Sequence, residues 1–168
     1  MKNAKQRNAG IFLAQGGMVA ALYVALTLIA SAMGLASGQI QLRLSEALTI
    51  LPCFFPAAVP GLFVGCLLAN LLTGCVLWDV AVGSLATLLG ALGTRLLRKS
   101  RWLAVLPPIV SNILLVPPVL VWAYGMEESI PFLMLTVGLG EVLSCGVLGE
   151  LMYSALDKRR ALWDRKDR

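Results

Sequence analysis

A charged pair set in apolar sequence constrains this chain more than any other feature. In the stretch from Gln39 to Gly61, QIQLRLSEALTILPCFFPAAVPG, Arg43, Ser45 and Glu46 fall within four residues of one another. The sequence around them is almost continuously apolar. An ionised side chain at the centre of a bilayer costs about 2.5–3.5 kcal/mol on insertion scales, so the pair is expected near a membrane surface or facing a polar cavity. Pro52, Pro56 and Pro60 follow at four-residue intervals. Each removes a backbone donor and disfavours helix at the residue before it. The pattern predicts a short helix over 44–55 running inward, a break near Pro56, and a second helix over 57–72 returning outward.

Composition makes the bilayer the solvent. Hydrophobic residues are 58% of the chain and charged residues 14%, against about 25% charge in soluble domains. The 168 residues hold five or six spans of roughly 20 residues and little else. Thirteen of the 14 basic residues lie in three groups: Lys2 to Arg7, Arg95 to Arg101, and Lys158 to Arg168. Basic clusters beside spans are normally cytoplasmic, so both termini and the middle loop are expected inside. That reading is preferred to nucleic-acid binding for the basic tail.

Six crossings place every cluster consistently: 11–33, 44–55, 57–72, 79–97, 103–123 and 130–156. Five would put one basic terminus outside. The expected fold is therefore an all-α integral membrane protein of six transmembrane helices, a single domain, with a short second helix and both termini cytoplasmic. Arg43, Glu46, Asp79, Glu127 and Glu128 then fall outside or at the outer rim. Ala30-Ser31-Ala32 resembles a signal-peptidase site, but the apolar run before it is too long for an h-region.

Depth selects candidates for a polar site. Asn112 and Glu141 each lie about 15 Å into the membrane on sequence-adjacent helices, which suggests a shared cavity. The alternative for Glu141 is a structural hydrogen bond or an inert protonated carboxyl. Glu150, about 28 Å along its helix, reads as interfacial and receives no role. Asn70 falls near the outer end of the third helix. Trp78, Trp122 and Tyr124 gather at the outer rim, either as an aromatic belt or stacked on a flat ligand. Gly17, Ala21 and Ala25 form a small-residue face on the first helix, which lets another helix approach closely. Spacing alone leaves open whether that helix belongs to this chain or to another subunit.

Some chemistry is missing. The four cysteines show no C-x-x-C spacing and histidine is absent, so no metal or redox site is expected. There is no phosphate loop and no nucleophile–base pair. The inverted repeat usual in ion-coupled carriers is also missing. The residues alone indicate a small binder with an outward-facing polar pocket and no cofactor or engine of its own, and not an enzyme.

The segments RLSEALTILP and PGLFVGCLLAN, followed by WDVAVGSLATLLGAL, closely resemble the QueT-type family, substrate-binding S-components of energy-coupling factor (ECF) transporters assigned to queuosine precursors. The resemblance runs from the first span to Glu141. It implies a cell-membrane S-component that captures a 7-deazaguanine, such as the aminomethyl form or queuine, from outside. It also implies a separate transmembrane coupling subunit and two cytoplasmic ATPase subunits that bind the ATP. Ala21-Leu22-Tyr23-Val24-Ala25 is similar to the A-x-x-x-A docking motif of S-components, which favours Gly17, Ala21 and Ala25 as a partner-docking face. An S-component for another vitamin or purine-like compound remains the alternative, and so does a small non-transport membrane protein.

For a guanine-like edge, depth and chemistry assign Glu141 as the acceptor of paired N–H donors, with Asn112 as its amide partner. Asp79 or Glu46 would take an ammonium group on the ligand. Arg43 would orient Glu46 without touching a cationic ligand.

Overall fold

The computed structural model describes residues 2–35 and 42–164, with side chains described over 6–35 and 42–158. The expected basic residues Lys2, Lys5, Arg159, Arg160, Arg165, Lys166 and Arg168, and loop residues 36–41, lie outside those ranges in whole or in side chain. Among the described residues every element is helical.

Helix α1 (Lys2–Ala32) is followed by a 3-10 helix (Leu44–Cys53), α2 (Ala58–Leu72) and α3 (Leu77–Leu96). A four-residue turn, α4 (Arg101–Ala104), leads into α5 (Leu106–Tyr124). The last stretch is α6 (Ile130–Glu141), a π-helical segment (Val142–Leu148) and α7 (Gly149–Asp164). Four helical stretches are long and apolar enough to cross a membrane: Gln6–Ala32, Leu77–Leu96, Arg101–Tyr124 and Ile130–Lys158. The two short apolar helices flank the proline break as expected.

The first of these differs in kind from the expectation. Pro52 sits inside it, and the last turn closes by an i→i+3 bond from Phe54 N–H to Leu51 carbonyl, 2.9 Å. At about 2.0 Å per residue, ten 3-10 residues reach roughly 20 Å, where an α-helix would reach about 15 Å. Ser45, Glu46 and Leu48 to Pro52 are all buried in it, so it runs through the bundle interior. Neither it nor α2 matches a hydrocarbon core of about 30 Å by itself.

Close approach depends on small residues. A Cβ on Gly61 would lie 2.6 Å from the Gly16 carbonyl oxygen, and one on Gly65 2.7 Å from Tyr23 Cβ. These contacts seat α2 on α1. A Cβ on Gly90 would lie 2.7 Å from Pro108 Cα, so α3 and α5 touch backbone to backbone. The apolar core unites Val19, Tyr23, Leu48, Leu51, Leu62 and Cys66 across α1, the 3-10 helix and α2.

One end of the bundle is tied by the middle basic cluster. Thr94 Oγ1 donates to the Ala104 carbonyl (2.7 Å), and Arg95 donates to the Pro52 carbonyl (2.9 Å). Arg101 pairs with Glu150 at 3.0 Å, so the carboxylate given no role from sequence has a structural one. The opposite end of α3 carries Asp79 and the polar cavity.

Candidate ligand-binding site

A cavity of about 400 Å³ opens between the Ser31 end of α1, the start of the 3-10 helix, the turn after α2, and the Tyr124 end of α5. Its polar lining includes Arg43, Ser45, Asn70, Thr73, Asp79 and Tyr124. That size falls within the range of small-molecule sites, roughly 300–1,000 Å³.

The acid of this cavity is fixed on one side only. Tyr124 hydroxyl donates to Asp79 Oδ2 at 3.0 Å and accepts the Val76 N–H at 3.3 Å. Asn70 Nδ2 donates to the Asp79 carbonyl at 3.5 Å. Oδ1 of Asp79 is buried without a partner. Across the α1 wall, the Thr27 and Ser45 hydroxyls share a 2.9 Å hydrogen bond, which joins α1 to the 3-10 helix.

A second polar group lies deeper. Tyr23 hydroxyl donates to Glu46 Oε1. Thr49 Oγ1 donates to the Glu46 carbonyl at 2.6 Å, and Cys145 Sγ donates to Glu141 Oε2 at 3.2 Å. Donor atoms of Glu46, Glu141 and Cys145 lie within 4.8 Å of one another, a convergence that cysteine spacing gave no sign of. Glu46 Oε2, Ser144 Oγ and both amide atoms of Asn112 are buried without partners. Buried polar atoms left in this state are costly, about 1–3 kcal/mol each, and mark where water or a ligand belongs. The π-helical segment begins directly after Glu141, and such segments concentrate at functional sites.

Arg43 links the two groups. It lines the polar cavity and also a small recess closed by Val116, Val137 and Glu141. Asp79 lines the cavity with it and Glu141 lines the recess with it, yet among the described residues no carboxylate forms an ion pair with it.

Several sequence expectations are redistributed. Arg43, Asp79, Asn70 and Tyr124 do meet in one cavity. Glu46, expected at the outer rim, is fully enclosed at the level of Glu141, because the 3-10 helix carries it into the bundle. Arg43 does not pair with Glu46 and faces the cavity itself. Glu141 sits behind Arg43 in the recess, and neither it nor Asn112 lines the polar cavity. Trp78 and Trp122 belong to a separate apolar groove of about 510 Å³ between α3 and α5. They are 68% and 84% exposed, which fits an aromatic belt and removes them as cover for a ring in the polar cavity. Sequence reasoning passed over Tyr23, Thr27 and Ser31. Their four-residue spacing on α1 was the available signal.

Gly17, Ala21 and Ala25 are exposed on α1, and nothing lies within 4 Å of a Cβ built on Gly17. Among the described residues, this face of α1 is left open. α1 packs inward through Val19, Ala20, Tyr23 and Ala30, one step round the helix.

The family model described as QueT transporter matches residues 13–158. No curated protein and no solved structure matches the chain.

Proposed function

The chain belongs to the QueT transporter family, and from that premise we propose that it is the substrate-binding S-component of an ECF-type importer. Its substrate is a queuosine precursor of the 7-deazaguanine class, taken from outside the cell. The observation that carries this reading is the cavity of about 400 Å³, which holds a guanidinium with no ion pair among the described residues and an incompletely bonded carboxylate inside an apolar helical protein. Uncompensated polar atoms suit a small, flat, hydrogen-bonding compound better than a lipid tail.

Topology supports the direction. The cavity lies at the Asp79 end of α3, and Arg95 to Arg101 lie at the other end. With the basic end inside, the cavity faces out and six helical passes leave both termini cytoplasmic. The two short helices cross as a pair within the shelter of the bundle.

Energy comes from partners. The chain carries no phosphate-binding loop, so a transmembrane coupling subunit and two cytoplasmic ATPases supply ATP hydrolysis. Docking uses the small face of α1. Only 17% of that helix's apolar window is buried, against 44–50% for the other three long stretches. Gly17, Ala21 and Ala25 allow a second helix to come close.

The test is to purify the chain under mild conditions and identify the retained small molecule by mass spectrometry. A 7-deazaguanine is expected, and a different vitamin in its place would overturn the substrate. Reconstituted alone, the chain should bind this compound without ATP-dependent accumulation. Concentrative uptake without partners would overturn the S-component reading.

A further inference from the structure

We propose that Arg43 and Asp79 together read one edge of the bound compound, and that this edge carries a carbonyl-type oxygen beside N–H donors. The inference rests on the reading that the cavity takes a 7-deazaguanine, and it assigns the residues that recognise it.

Both side chains line the polar cavity. Arg43 offers five N–H donors and no acceptor, and among the described residues its guanidinium forms no ion pair. Asp79 is 4% exposed, with Oδ2 held by Tyr124 and Oδ1 unpartnered. A cation and a carboxylate sharing a low-dielectric cavity attract strongly, yet these two stay apart. What separates them is space for an occupant. A compound that bridges them presents an acceptor to Arg43 and donors to Asp79 on the same side of its ring.

The acids around Arg43 narrow the choice. An arginine in a cavity by itself suggests a phosphate or carboxylate ligand. Here Asp79 lines the same cavity, Glu141 backs Arg43 in the recess, and a Glu46 oxygen lies within 4.8 Å of one on Glu141. An anion would meet three carboxylic groups for one guanidinium. A neutral carbonyl oxygen meets the guanidinium without that repulsion, and a protonated amine elsewhere on the compound is favoured by the same acids. Glu141 acts through Arg43 as a positioning residue, the reverse of the arrangement expected from depth alone.

The test is titration calorimetry on the full chain in detergent with 7-deazaguanine and with 2-amino-7-deazapurine, which lacks the carbonyl and whose N1 is an acceptor in place of an N–H donor. The wild type is expected to prefer the carbonyl compound by about tenfold or more, equivalent to about 1.4 kcal/mol. Arg43→Met should weaken 7-deazaguanine and leave the analogue, which offers that residue no carbonyl, close to its wild-type affinity, so that the preference narrows. Arg43→Gln, which keeps an N–H donor without the charge, should retain part of the preference. Asp79→Asn should weaken 7-deazaguanine, whose adjacent N–H donors lose an acceptor, more than the analogue, whose N1 can accept from the new amide. Equal wild-type affinities, or a preference undiminished in Arg43→Met, would overturn this inference alone. Binding of neither compound by the wild type would overturn the proposed substrate and this inference together. Should Arg43→Met fail to fold, Arg43→Gln and the wild-type comparison decide the matter.

Discussion

Tyr124 and Asp79, 45 residues apart in sequence, meet at 3.0 Å across the mouth of the polar cavity. The hydroxyl fixes one carboxylate oxygen and leaves the other turned to a site without a partner. Removing it frees the carboxylate to rotate without removing its charge. Tyr124→Phe is therefore expected to weaken 7-deazaguanine binding by about three- to tenfold, the loss of one hydrogen bond of roughly 0.5–1.5 kcal/mol. Calorimetry on the variant checks this, and an unchanged affinity would show that Asp79 is held by Asn70 and the backbone instead.

Tyr23 and Glu46 form the corresponding link in the core. Both are buried, at 2% and 0% exposure. Tyr23→Phe removes the donor to Glu46 Oε1 and leaves both carboxylate oxygens unsatisfied, at a cost of about 1–3 kcal/mol. Thermal unfolding in detergent should show a lower Tm for Tyr23→Phe and for Glu46→Gln. The double variant should lose less than the sum of the two, since contacting residues are not additive. Strict additivity would show that the pair contributes nothing jointly.

Close packing of α3 against α5 gives a stability prediction independent of the site. A methyl group at Gly90 would press on Pro108 Cα, a backbone atom that no rotamer change can move. Gly90→Ala is expected to destabilise the fold by about 1–3 kcal/mol. A gain of stability, as expected from the helix propensity of alanine over glycine, would mean that the two helices separate easily.

The exposed small face of α1 is tested by bulk. Ala21→Leu or Ala25→Leu should reduce copurification with the coupling subunit while ligand affinity stays within about twofold of wild type, since neither residue lines the cavity. Loss of ligand binding with assembly intact would assign the face to the interior.

Much of the architecture was legible in the sequence because it depends on local quantities. Hydrophobic run length sets a span, a proline removes one backbone donor, and a basic cluster resists translocation. The helical stretches at 77–96, 101–124 and 130–158 and the short pair around Pro56 follow from those terms. Arg43, Asp79, Asn70 and Tyr124 were named as polar residues near one end, and they do share a cavity. Trp78 and Trp122 share their sequence neighbourhood and yet face the apolar groove. Sequence proximity gives depth along a helix, whereas the direction round the helix depends on which neighbour it packs against.

The sequence by itself determined the membrane class, the proline-broken pair and the set of polar residues available. Only the tertiary structure decided how those residues combine. A 3-10 helix advances further per residue than an α-helix and turns 120° per residue in place of 100°. That geometry takes Glu46 into the core beside Glu141 and leaves Arg43 between two polar groups. The π-helical segment after Glu141 shifts the helical register once more, with Cys145 against Glu141 and Ser144 buried. Neither departure from α-helical geometry has a local signal strong enough to read. Each is held by contacts with other helices, and those contacts exist only once the bundle has closed.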